Sequence, residues 1–493
     1  MTTPTIATTT EQVDAAAQAA HEAFLLIAGE TLAARADRLT AIAAALRSNT
    51  DELVQLGTEE THLAEARLQG ELLRTAFQLE LFADEVRSGV ALEATLDHAD
   101  PDWGMGPRPD LRRVNVPLGV VGVFGASNFP FAFSVMGGDS ASALAAGCAV
   151  LHKIHPGHRR LALRTAEVVV DALHSAGAPA GLFAVIDGRA AAEALVDHPL
   201  VKAIGFTGST AGGRALFDRA AARPTPIPFY GELGSINPVF VLPGAWANRS
   251  GDILTGYAGS FTLGMGQFCT KPGALFVPDT ATEEELRTSL GAALAGSAQA
   301  PMLTPGLREG FGAARDAVAA TAGVTTLVAG SDDDIPAPTV LLIDAEAVAR
   351  TPEVLHQEMF GPATVVVRYP DAQGLPQLAA LLEGQLTATI HADPEDATAE
   401  LLDTLTGLAG RVLWNGWPTG VTVSHAQQHG GPYPATTAPD TTSVGTAAMK
   451  RFQRPVAYQD VPDAALPPAL QDANPWNIPR RVDGRSEPSG GRR

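Results

Sequence analysis

Only two cysteines occur in the 493-residue chain, Cys148 and Cys269. A disulfide framework is thereby excluded, and one bridge is the most that arithmetic allows. Such sparing use of cysteine belongs to a reducing compartment, so the expected location is the cytoplasm. Positive charge is also scarce, with 34 Lys and Arg against 54 Asp and Glu and a formal charge of −20. That field disfavours polyanions, so neither nucleic acid nor an anionic membrane is an expected partner. The first twenty residues lack a basic stretch followed by an apolar core, and no signal peptide is expected. Long apolar runs are missing too. The most apolar stretch, 114–135, is broken by Pro117, Gly119, Gly122, Gly125, Asn128 and Pro130. A membrane helix needs about 20 predominantly apolar residues, so this stretch reads as buried strand and turn.

What is present is ordinary globular composition, 45% hydrophobic and 18% charged, with 49 Gly and 36 Pro. The length suits two or three domains around a cleft. Residues 11–99 read as helical, since Leu39, Ile42, Ala43 and Leu46 recur at helical spacing. Residues 100–113 are polar and turn-rich, a crossing loop or hairpin. Short apolar runs at 120–124, 149–152, 183–186, 203–206 and 238–242 then alternate with helical segments. The alternation implies a parallel sheet covered on both faces, an α/β architecture. A looser repetition follows to about 430, with candidate strands at 274–277, 339–343, 364–368, 387–391 and 412–415. Residues 331–337 are read as an acidic surface loop and the last residues, 486–493, as disordered.

Several short segments carry reactive groups. Cys269, in Gly266-Gln267-Phe268-Cys269-Thr270-Lys271-Pro272-Gly273, is flanked by small and polar residues. It reads as an accessible thiol or as an inert buried one. Cys148, among small apolar residues, reads as core. Glu232, in Glu232-Leu233-Gly234-Ser235-Ile236-Asn237-Pro238, suits a helix cap, a salt bridge, or a base whose pKa is raised in an apolar cleft. Asn128 follows a strand end, where open α/β sheets place ligand groups; it suits an oxyanion donor or an Asx-turn before Pro130. The Phe206-Thr207-Gly208-Ser209 turn joins strand to helix, where a phosphate is favoured. Glu358, in Glu358-Met359-Phe360-Gly361-Pro362, suits ribose hydroxyls or a surface turn. His152, His155 and His158 lack the partners and geometry of a zinc set, and no metal is expected. His425 and His429 are read as lining or supporting a substrate mouth. Trp414 and Trp417 read as core, or as a pocket wall.

Taken in order, Asn128, the turn at 206–209, Glu232-Leu233-Gly234, Gly266-Gln267-x-Cys269 and Glu358-x-Phe360-Gly361-Pro362 resemble the aldehyde dehydrogenase superfamily over roughly 15–460. The resemblance implies an aldehyde dehydrogenase-like α/β fold. An open parallel-sheet cofactor domain would span 1–99 and 114–231, and a catalytic α/β domain 232–430. Residues 100–113 and 431–493 would form a small oligomerisation element and a C-terminal tail, in a homodimer or homotetramer. It implies Cys269 as nucleophile, Glu232 as the base that activates water, and Asn128 with the Cys269 N–H as oxyanion donors. Lys153 and Glu358, followed by Phe360, match ribose-binding positions, and Gly208, Ser209 and Gly213 match the pyrophosphate turn. A small-molecule aldehyde would be oxidised to an acid with NAD or NADP.

One departure bears on the cofactor. Many NAD-preferring members of that superfamily carry a glutamate three residues after the ribose-binding lysine, where this chain has Pro156. No carboxylate there repels a 2′-phosphate, and His155, His158, Arg159 and Arg160 are candidates for positive charge. NADP is therefore expected to be preferred. Longer phrases, among them FGASNFPFAFSVMGGDSASALAAGC, FYGELGSINPVF and HGGPYPATT, resemble α-ketoglutarate semialdehyde dehydrogenases, with fatty-aldehyde dehydrogenases as near relatives. Tyr230, Lys271, Trp414 and Trp417 depart from that subgroup. Lys271 is read either as lowering the thiolate pKa or as facing solvent. A binding protein on the same fold, a CoA-acylating enzyme and a cofactor-free thioesterase are the competing classes.

Overall fold

The computed structural model describes residues 7–331 and 333–489. Helices α1 (Thr10–Leu26), α2 (Leu32–Ser48), α3 (Thr50–Thr61) and α4 (Glu65–Ser88) open it. Thr9 and Gln12 cap α1 reciprocally, each side chain bonding the other's backbone. Helix α4 ends at Gly89 with φ 70°, where a β-carbon would lie 2.3 Å from the Ile478 side chain. Strands β1 (Thr95–Asp97) and β2 (Leu111–Pro117) follow, and a bridge between Asp100 and Arg108 makes the segment between them a hairpin.

The next stretch alternates: β3 (Val120–Phe124), α5 (Gly138–Ala146), β4 (Ala149–Lys153), α6 (Arg159–Ser175), β5 (Phe183–Ile186), α7 (Arg189–Asp197), β6 (Val201–Thr207), α8 (Thr210–Ala221) and β7 (Phe229–Glu232). These strands form a parallel sheet in the order β5-β4-β3-β6-β7. The chain steps outward from β3 to β5, then returns to β6 on the other side of β3. A crevice opens outside the carboxyl ends of β3 and β6, where such a reversal places ligands. Four of the five anticipated strands fall on β3 to β6, and the fifth, 238–242, belongs to the second sheet. Strand β7, which carries Glu232 itself, was not anticipated.

A second sheet follows from β8 (Val239–Val241), α9 (Pro243–Thr262), β9 (Ala274–Pro278), α10 (Glu283–Leu294), α11 (Pro305–Ala319), β10 (Thr325–Val328), β11 (Thr339–Asp344), α12 (Ala345–Arg350), β12 (Ala363–Tyr369), α13 (Leu375–Ala379), β13 (Gln385–His391), α14 (Ala399–Leu408) and β14 (Ala409–Trp414). Its order is β10-β11-β12-β9-β8-β13-β14, parallel except for β10. Residues on β12 and β13 are almost all buried, so these strands read as continuous apolar runs. A third, small sheet joins β1 and β2 to β15 (Gln453–Gln459), β16 (Arg480–Val482) and β17 (Arg485–Glu487) in the order β15-β2-β1-β16-β17. The expected disorder at 486–493 is corrected in part. Ser486 and Glu487 pair with Arg481 and Arg480 through a turn at Asp483 and Gly484, and 490–493 lie outside the described residues. No helix among the described residues is long and apolar enough to cross a membrane.

The turn at Leu263–Gly266 carries the chain from α9 toward Cys269. Gly266 has φ 65°, and a β-carbon there would sit 2.2 Å from the Gly361 carbonyl oxygen. Backbone cannot retreat as a side chain can. Gly266→Ala is expected to lose about 1–3 kcal/mol in chemical denaturation, and a loss below about 0.5 kcal/mol would show that the turn relaxes freely.

Candidate active site

Loops from three strand ends meet at one cavity of about 240 Å³. Ala126, Ser127 and Asn128 follow β3, His155 follows β4, and Thr207 ends β6 with Gly208 and Ser209 after it. The second sheet contributes Cys269, Glu358 and Phe360. A neighbouring cavity of about 470 Å³ shares Ser209, Glu358 and Phe360 and extends past Gly234 to Gln385. Of the sequence-selected residues, Asn128, His155, Gly208, Ser209, Glu358, Phe360 and Cys269 line this space. Lys153 and Gly213 do not. Gly213 packs instead: a β-carbon there would meet Leu233 at 2.2 Å, so glycine lets α8 lie close to the strand ends.

Behind Cys269 lies a buried cluster of Glu232, His429 and Ser443. His429 Nε2 is 3.5 Å from Cys269 Sγ and 3.2 Å from Glu232 Oε1. The second contact is proximity rather than an aligned hydrogen bond, because Glu232 Oε1 has no hydrogen-bond partner. Glu232 Oε2 accepts from Ser443 Oγ at 2.7 Å. Burial pushes the Glu232 carboxyl up to about 8, partly offset by the Ser443 hydroxyl. The same burial drives His429 down to about 3, so the ring is neutral. Burial, then the Glu232 and Glu358 charges, raise the Cys269 thiol well above the ordinary range. The resting cluster is therefore uncharged at neutral pH, as desolvation demands. Cys148, by contrast, is fully buried and donates to Phe452 O at 3.3 Å, and both cysteines are free thiols.

The Cys269 backbone is fixed from below. Asn237 Nδ2 donates to the carbonyls of Cys269 at 2.8 Å and Lys271 at 3.0 Å. Its Oδ1 accepts from Ser235 Oγ and Thr387 Oγ1, both at 2.9 Å. Gln385 Oε1 accepts from the N–H groups of Ile236 and Asn237, both at 2.8 Å. Asn128 does not close an Asx-turn. Its Nδ2 reaches across to Gln267 O at 3.0 Å, and Arg67 holds its own carbonyl at 2.6 Å. One amide hydrogen stays available beside the thiol.

The aldehyde dehydrogenase family model matches residues 2–435. This chain belongs to the aldehyde dehydrogenase family. An α-ketoglutaric semialdehyde dehydrogenase 2 of Azospirillum brasilense is 47% identical over 486 residues, covering 96% of this chain and 92% of the relative. An α-ketoglutaric semialdehyde dehydrogenase of Acinetobacter baylyi is 42% identical over 481 residues, covering 97% and 91%. Among solved structures, the NADP-dependent glyceraldehyde-3-phosphate dehydrogenase of Bacillus halodurans superposes with a TM-score of 0.78 at 22% identity, covering 92% of each chain. An NADP-dependent enzyme of E. coli gives 0.75 at 24% identity, covering 91% and 90%. At these identities the structures speak for the fold alone. The chain is an enzyme, an NAD(P)-dependent oxidoreductase acting on an aldehyde.

The cleft fits the dinucleotide that the family uses. Ser209 caps α8, accepting from Gly212 N–H at 3.2 Å, and the start of that helix faces the cavity with donors suited to an anion. Glu358 offers a carboxylate where both cavities meet. The positive charges sought for a 2′-phosphate need correction. His155 is held near 3 by burial, and its Nδ1 accepts from Gly157 N–H at 3.0 Å. His158 is likewise lowered by burial. Arg159 pairs with Asp187 at 2.6 Å and Arg160 with Glu59 at 3.1 Å. Lys153 is the cation left on that side, its pKa lowered by burial.

Neither reading of Lys271 holds. It is buried, and its Nζ donates to Met359 O at 2.7 Å and Ala363 O at 2.8 Å. Burial pushes Lys271 down and Glu358 up, and each charge restrains the other's shift. The lysine thus supports the Glu358 turn from within. Trp414 is half exposed, while Trp417 packs on Tyr257 and His391 in the second sheet's core. His429 supports the site more directly than its sequence context suggested; the one signal was its place in HGGPYPATT. Lys271→Met, which strands two buried carbonyls, is expected to lose about 2 kcal/mol or more in urea unfolding. Unchanged stability would show that the ammonium carries no structural load.

Proposed function

We propose that this enzyme oxidises α-ketoglutarate semialdehyde to α-ketoglutarate through a covalent intermediate on Cys269. The observation that carries the chemistry is the buried contact of His429 with both Cys269 and Glu232. The names and the 42–47% identity of the two relatives support the substrate. Cys269 Sγ attacks the aldehyde carbon while its proton passes by way of His429 to solvent, leaving Glu232 for the later step, and a thiohemiacetal forms. Its oxyanion faces the remaining Asn128 amide hydrogen and the Cys269 N–H. Bound NAD(P)⁺ supplies the hydride acceptor that turns the thiohemiacetal into a thioester. Ionised Glu232 then takes a proton from water, the hydroxide oxygen bonds to the thioester carbon, and Sγ leaves with release of the acid.

Ser209 and the start of α8 would hold the pyrophosphate, and Lys153 and Glu358 the ribose, with Phe360 beside it. Both cofactors are accepted and NADP⁺ is preferred, supported by Lys153 and by Pro156 in place of a repelling carboxylate. The first sheet and its helices would serve as the cofactor domain and the second as the catalytic domain. The small sheet, with the half-exposed edge strand β15 and the exposed Trp103 and Met105, suits assembly into a homodimer or homotetramer. Two free cysteines fit a cytoplasmic enzyme.

Two experiments test this reading. The first compares reduced-nicotinamide formation from the semialdehyde, short aliphatic aldehydes and long-chain aldehydes, with NADP⁺ and NAD⁺. The semialdehyde should lead in kcat/KM by about tenfold or more; a lead by long-chain aldehydes, or acyl-CoA formed on adding CoA, would replace the proposed substrate or acceptor. The second follows Glu232. A carboxyl raised to about 8 holds its proton at neutral pH and loses it above. Steady-state turnover should therefore climb toward pH 8 and level off. Glu232→Gln should flatten the profile, keep the first-turnover burst and slow deacylation about 100-fold or more. Cys269→Ala should lose turnover yet bind cofactor. A Glu232→Gln enzyme with an unaltered profile would remove Glu232 from the base role.

A further inference from the structure

Two arginines from different elements close on the same loop beside Cys269. Arg74 leaves α4, its Nε donating to Val421 O at 3.3 Å and its guanidinium 5.7 Å from the Phe133 ring centre. Arg411 leaves β14, with Nη1 donating to Gly420 O at 3.1 Å and Nη2 to Pro418 O at 2.6 Å. The loop they hold returns to the reactive turn, where Gly420 N–H donates to Thr270 Oγ1 at 3.3 Å. Both charges reach Cys269 and the His429 ring electrostatically.

The pair is not satisfied by the chain itself. Arg74 Nη1 and Nη2 and Arg411 Nε are buried without a hydrogen-bond partner. Neither arginine forms an ion pair among the described residues. Glu71, one turn before Arg74 on α4, attracts it, but Glu71 Oε1 accepts from the N–H groups of Phe131 and Ala132 and makes no hydrogen bond to the guanidinium. Buried guanidinium nitrogens without partners are rare because their desolvation goes uncompensated. A role confined to bracing the loop would leave those donors idle. An uncharged aldehyde would gain nothing from two desolvated cations beside its thiol. A carboxylate would accept from both forks.

We propose that Arg74 and Arg411 form the acid-binding end of the substrate site, gripping the carboxylate of an aldehyde acid while its far carbon meets Cys269 Sγ. This deepens the semialdehyde reading and rests on it. Arg74 and Arg411 are then specificity-determining residues.

The test compares α-ketoglutarate semialdehyde with pentanal, an uncharged aldehyde of equal chain length. Arg74→Met and Arg411→Met should each lower the ratio of the two kcat/KM values by about tenfold or more, chiefly through KM for the acid. A merely structural role would move both aldehydes together, so an unchanged ratio overturns the proposal. A second measurement needs no variant and covers the case of misfolding. With pentanal as substrate, 2-oxoglutarate should inhibit the wild-type enzyme competitively, at least about tenfold more tightly than its dimethyl ester; equal potency overturns the proposal. If wild-type enzyme prefers pentanal to the semialdehyde, the substrate reading fails, while the inhibitor comparison still reports on the arginines.

Discussion

One buried amide holds the reactive turn in place. Asn237 Nδ2 takes the carbonyls of both Cys269 and Lys271, and its Oδ1 is tied to Ser235 and to Thr387 on β13. Asn237 adopts φ 55°, a left-handed conformation that asparagine tolerates better than most residues. Each carbonyl it holds would otherwise be a buried, unsatisfied group costing about 1–3 kcal/mol. The same short segment begins at Glu232. The proposed base and the clamp on the proposed nucleophile are thus set by six consecutive residues, pinned at their far end by Gln385. The reactive turn rests directly on the second sheet.

This rigidity permits an electrostatic arrangement that would otherwise be costly. A carboxyl, a thiol and an imidazole share one cluster, and burial keeps all three neutral at rest. Charge need appear only when substrate arrives, and then next to Arg74 and Arg411. A neutral resting site avoids paired desolvation penalties. It also makes Glu232 a carboxyl tuned near working pH, where a general acid–base group is most effective. Lys271 applies a related logic on the cofactor side, holding the Met359 and Ala363 carbonyls beside Glu358 without touching the thiol.

Strand–helix alternation from 120 to 242 is legible in sequence because each buried parallel strand is a short apolar run. β7 escapes because Phe-Tyr-Gly-Glu mixes core with function. β10 escapes because Thr-Thr-Leu-Val is half exposed, and β15 because Pro455 demotes it to an edge. The β16–β17 hairpin was within reach: Asp483-Gly484, both at positive φ, is a strong two-residue turn signal that the Arg- and Ser-rich composition masked. At the site, Asn128, Glu232, Cys269 and Glu358 stand out because they lie in short motifs. His429, Arg74 and Arg411 do not. Their significance arises only when a helix near residue 74, a strand near 411 and a loop near 429 converge on one thiol. Such convergence has no local spacing to read.

The overall charge also looks different once the site is built. A net −20 argues against polyanions in general, yet the proposed substrate and both cofactors are anions. Screening resolves the tension. At physiological ionic strength exposed charges are damped beyond about 8 Å, so the distant acidic surface contributes little inside the cleft. Buried groups are screened much less. A few desolvated cations therefore outweigh many solvated carboxylates at the reacting atoms, and the acidic exterior can repel nucleic acid while the interior accepts a small carboxylate.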